Sequence, residues 1–147
     1  MARTISKEVI PVLSTTDVKL ACVGIGTYER SQEFVELTEF PSKHLYVDPD
    51  NAVYDALDLV KSVKNTFFDQ RTPLSLAKRF ATPGKSDDLI EALSTWKPWI
   101  PPKLDQGYQQ GGAFVFQGQE TLYGRKDPAT GDHADLNVLL NVALSKK

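Results

Sequence analysis

This sequence of 147 residues holds a single cysteine, Cys22, so no disulfide can close within it and no multi-cysteine zinc site can form. Histidine is almost as scarce. His44 and His133 alone leave metal chemistry little to work with, and no metal or other cofactor is expected. Lys and Arg number 17 against 19 Asp and Glu, a net charge of −2, and they never gather into a long run. A nucleic-acid partner held on a basic face is therefore not expected. No stretch approaches the roughly 20 apolar residues that cross a bilayer, so the chain reads as not membrane-spanning. Its opening, MARTISKEVIP, also lacks the apolar run of a secretory signal. No repeat or low-complexity tract is present.

What is there is ordinary globular composition, 41% hydrophobic and 24% charged, at a length that suits one domain over residues 1–147. Ile5, Val9, Ile10 and Leu13 fall at near-helical spacing, and Pro11 predicts a short or kinked helix there. Val18 to Ile25 is almost continuously apolar and predicts a strand buried on both faces, as in a parallel sheet. Ser31 is placed to cap a helix to about Thr38, with Phe34, Val35 and Leu37 on its core side and Pro41 ending it. Leu45 to Val47 reads as a short strand. Asp48-Pro49 then gives a helix start, with Val53, Ala56, Leu57 and Val60 as its inner stripe. This alternation of helix and strand is the α/β signature.

The middle, about 74–108, reads as a helical and proline-rich insertion. Leu74 to Phe80 reads as one short helix, and Ser86 is placed to cap another whose inner side is Leu89, Ile90 and Leu93. The run Trp96-Lys97-Pro98-Trp99-Ile100-Pro101-Pro102 forbids regular helix. Beyond Gly111-Gly112, Ala113–Gln117 and Glu120–Gly124 predict a hairpin around Gly118-Gln119. A polar loop from Arg125 to Gly131 leads to a closing helix. Asp132 is its expected cap, Leu136, Leu139, Leu140, Ala143 and Leu144 its stripe, and Lys146 and Lys147 suit its end. A parallel α/β half, a hairpin and a closing helix make the layout of a thioredoxin-like fold with a mixed sheet.

The words LACVGIGT, LYVDPDNAVYDAL, TFFD, QQGGAFVFQGQETLYGRKD and TGDHADLNVLLNVAL resemble the peroxiredoxin-like family of AhpC/TSA-type proteins. That family includes chloroplast members of plants and algae, and animal relatives described as prostamide/prostaglandin F synthases. The similarity runs from about Ser6 to Leu144, and DPDNAVYDAL, QQGGAFVF and GDHADL are distinctive as a set. It implies a thioredoxin fold, thiol-based reduction of peroxides or related substrates, and chloroplast residence.

One departure from the family matters most. Such proteins carry a CxxC-type motif between their first core strand and the next helix, where the helix N-terminus lowers the pKa of the first cysteine. SKEVIPVL resembles the later turns of that helix, and no CxxC occurs in these residues. The fold is therefore expected to be truncated at its N-terminus, without its central strand. Unpaired buried backbone groups cost about 1–3 kcal/mol each, against a total stability of roughly 5–15 kcal/mol. Three outcomes are open: the flanking strands Val18–Ile25 and Ala113–Gln117 close on each other, another polypeptide fills the slot, or the sequence begins inside a longer protein.

Candidate sites have competing readings. Cys22 is the sole thiol available as a peroxidatic nucleophile, but a mid-strand position marks it as structural. Gly24-Ile25-Gly26-Thr27-Tyr28-Glu29 begins like a dinucleotide-binding turn, with Glu29 where the third glycine belongs. Asp127, Asp132, His133 and Asp135 form the one acid–base-looking cluster, readable also as a turn and a helix cap. Asp48 and Asp50 read as a helix start. Gln109-Gln110-Gly111-Gly112 allows close backbone approach, or is simply a strand entry. Trp96, Trp99 and Ile100 are candidate interaction residues for a partner assembly; the same segment could cover the domain's own core. The expectation is a peroxiredoxin-like protein without its CxxC, serving as a binding or structural subunit. The alternative is a thiol reductase or peroxidase whose CxxC lies upstream.

Overall fold

The chain enters as a helix that has to accommodate a proline. In the computed structural model, which describes residues 1–61, 104–129 and 131–145, helix α1 (Ala2–Thr4) runs into a π-helical turn (Ile5–Val9) and then into α2 (Ile10–Leu13). Pro11 has no N–H to return to the preceding turn, and its ring crowds the carbonyl four residues back. The chain answers by widening: Ile10 N–H reaches Ile5 O instead of the usual acceptor. So the helix is neither broken nor ended at Pro11; it is re-wound ahead of it. Val9 and Leu13 stay buried on its inner side. Ser14, Thr15 and Thr16 close the end, their hydroxyls donating to the Pro11, Val12 and Leu13 carbonyls at 2.7, 3.0 and 2.9 Å.

Strand β1 (Cys22–Ile25) pairs in parallel with β2 (Leu45–Asp48), Cys22 opposite Leu45 and Ile25 opposite Asp48. The strand is shorter than the apolar run from Val18 predicts, and its residues are half-buried rather than buried. Helix α3 (Tyr28–Thr38) connects the two. Thr27 stands at its N-cap, not Ser31; the Ser31 hydroxyl donates back to Tyr28 O at 2.6 Å inside the first turn. Leu37 is not on a core side either, being 54% exposed. Burial is concentrated one step later in Phe40, 2% exposed, with the Phe34 ring centroid 6.2 Å away. Glu39 ends α3 in a left-handed conformation, its N–H bonded to Val35 O at 2.8 Å.

After β2 the helix start foreseen at Asp48-Pro49 is displaced by three residues. Helix α4 (Ala52–Ala56) begins after Asn51, and Asp48 caps it from a distance. The predicted stripe to Val60 does not form, because α4 stops at Ala56 and Asp58 turns left-handed. A hairpin follows later in the chain, β3 (Gly112–Gln117) and β4 (Glu120–Lys126), with Gly118 supplying a positive φ at its turn. Gly124 faces Phe114: a Cβ there would lie 3.2 Å from that ring. Helix α5 (Leu136–Ser145) closes the described chain and lies against the π-helical turn. Asp135 caps it, accepting from Asn137 N–H at 2.8 Å; Asp132, the expected cap, lies in the preceding turn.

Two compact units result. One comprises residues 1–58, 113–125 and 134–147; the other 59–112 and 126–133. Among the described residues there are two separate two-stranded sheets, β1–β2 and β3–β4. The first of the three outcomes is thus excluded for the described residues: β1 and β3 do not close on each other. Helices with small sheets are compatible with a thioredoxin-like α/β fold. Most of the insertion foreseen at 74–108 lies outside the described residues; its last part, Leu104–Tyr108, is a 3₁₀ turn.

Candidate functional site

Cys22 opens β1, half-buried and without a disulfide. Burial pushes its thiol pKa up, because a thiolate there would lose its hydration. A nucleophilic cysteine needs the reverse, a setting that favours the charged form. At neutral pH burial thus favours the protonated thiol over the thiolate.

The turn from β1 into α3 uses Gly26 at φ 121°, a conformation open to glycine. Glu29 then occupies the first turn of α3, where its own backbone N–H and the Thr27 side chain hold its carboxyl below the usual range. The chain's own carboxylate engages amide hydrogen-bonding capacity that a bound phosphate would use. Asp48 is more deeply committed. Its carboxylate is buried and accepts three amides, from Ala52 and Val53 at 2.8 Å and Tyr54 at 3.2 Å. Asp50 is exposed beside it.

Of the acid–base cluster, the structure brings two members together. Asp127 Oδ2 lies 2.8 Å from His133 Nδ1; the carboxylate side chain is 7% exposed and the imidazole 40%. No protein donor reaches Asp127 Oδ1. Asp127 N–H also donates to Gly111 O at 2.9 Å, and a Cβ on Gly111 would stand 3.2 Å from Oδ2. The close approach expected at Gly111-Gly112 is therefore to this carboxylate. Gln110 is buried and donates its N–H to Val60 O at 2.8 Å; Gln109 Nε2 reaches the same carbonyl at 3.1 Å. Asp132 and Asp135 serve turn and cap, as described above. Among the described residues, no group of three His, Cys, Asp or Glu side chains could hold a metal ion. No described helix is long and apolar enough to cross a membrane. Trp96, Trp99 and Ile100 lie outside the described residues.

A family model described as AhpC/TSA antioxidant enzyme matches residues 4–129. The chain belongs to that family. Among curated relatives, this peroxiredoxin-like chain is 29% identical over 133 residues to the thioredoxin-like protein AAED1, chloroplastic, of Arabidopsis thaliana. That match covers 88% of this chain and 50% of the relative. It is likewise 29% identical over 130 residues to peroxiredoxin-like 2C of Takifugu rubripes, covering 86% of this chain and 54% of that one. The chain thus spans about half the length of these relatives. No solved structure matches it significantly.

Sequence reasoning missed one tie, the Tyr54 hydroxyl donating to Val23 O at 2.9 Å. Nothing local marks it. Tyr54 sits two residues after the capped amide of Ala52, and only the fold of β1 against β2 brings it to the strand.

Proposed function

We propose that this peroxiredoxin-like chain acts as a non-catalytic binding or structural component of a larger assembly. The observation that carries the reading is Cys22. It is the sole thiol in these residues, it is half-buried at the start of a strand, and its pKa is raised rather than lowered. An edge of β1 without a strand neighbour among the described residues supports a binding role. The residues Cys-Val-Gly-Ile carry neither charge nor proline, the usual guards of an edge that stays solvated. A docking contribution from Trp96, Trp99 and Ile100 belongs to the same reading. The test is peroxide consumption by the pure chain with dithiothreitol as reductant. No turnover above the Cys22→Ser background is expected. Peroxide reduction abolished by Cys22→Ser overturns the proposal.

The second reading is a thiol reductase or peroxidase whose CxxC lies upstream of Met1. It is favoured by the family's antioxidant-enzyme description and by relatives of about twice the matched length. An intact mass of the native protein well above that of 147 residues would select it. Chloroplast residence is proposed on the chloroplastic relative, and organelle fractionation tests it.

A further inference from the structure

We draw no further inference here: the strongest candidate, the uncharged outer face of helix α5, where Val138 and Leu144 are exposed beside Asn137 and Asn141, carries nothing because nothing in the structure shows what covers it.

Discussion

The Tyr54 hydroxyl donates to the Val23 carbonyl at 2.9 Å, from a helix thirty-one residues downstream of the strand it ties. The bond links α4 to β1, which among the described residues is paired in its sheet only with β2. Tyr54→Phe keeps the ring and removes the donor. It should lower stability by about 0.5–1.5 kcal/mol, read as a shift in urea midpoint at unchanged m-value.

Asp48 carries more. Three amides of α4 end on its buried carboxylate, and Asp48→Ala leaves them without that acceptor. Loss of a capping carboxylate costs about 0.5–2 kcal/mol, and the buried site places this one toward the upper end. Hydrogen exchange should show the Ala52, Val53 and Tyr54 amides losing protection in Asp48→Ala before β1 does.

Cys22 makes a prediction with a definite sign. Burial raises its folded pKa above the unfolded value, so in the interval between them the unfolded chain has released a proton that the folded chain still holds. Stability then falls as pH rises through the ordinary thiol range, and the contribution is fully present below it. Urea midpoints should drop from neutral to alkaline pH in the wild type more than in Cys22→Ala. Iodoacetamide should label Cys22 slowly at neutral pH. Labelling as fast as a free thiol would show that the thiol is open.

Gly124 tests the hairpin. Its missing side chain leaves room for Phe114, which also stacks with Phe116 at 6.0 Å between centroids. Gly124→Val places a branched side chain against that ring and should cost about 1–3 kcal/mol, with the near-ultraviolet aromatic signal altered. Should the variant be as stable as wild type, the ring of Phe114 moves more freely than the packing implies.

Trp99→Ala addresses the segment 96–102. Binding to a partner assembly should weaken while the melting temperature stays near that of wild type. An unfolded variant would place Trp99 in the domain's own core instead.

How far the sequence could be read depended on the range of the forces involved. β2, β3 and most of β4 were legible because their signals are local: short apolar runs bounded by Gly118-Gln119 or by Asp48-Pro49. Helix starts were less so. Ser31 and Asp132 are good caps by residue type, yet Thr27 and Asp135 stand at or beside the helix starts, while Asp48 does cap α4 but from ahead of Asn51. Which of several eligible residues does the capping depends on where the chain enters the helix, and neighbouring elements set that entry. Membership of the family was carried by words such as DPDNAVYDAL and QQGGAFVF, spread over most of the chain. In the acid–base cluster the residue types were visible, but the partnership of Asp127 with His133 was not. It requires the chain to fold back through Pro128 and Gly131, and it leaves Asp132, the immediate sequence neighbour of His133, out of the pair.

The wide turn at Ile5–Val9 has a consequence for how this chain tolerates length change. A loop of backbone spanning five residues where four would serve holds one residue in surplus, on the near side of a proline that cannot be moved into an ordinary coil without cost. Trimming one residue from that stretch would let the wide turn close to an ordinary α-helical one, leaving the residues before it and Leu13 on the faces they hold. Residues 1–4 are thus joined to the rest through a turn that can give up one residue, and such a length variant will keep the apolar contact of Leu13.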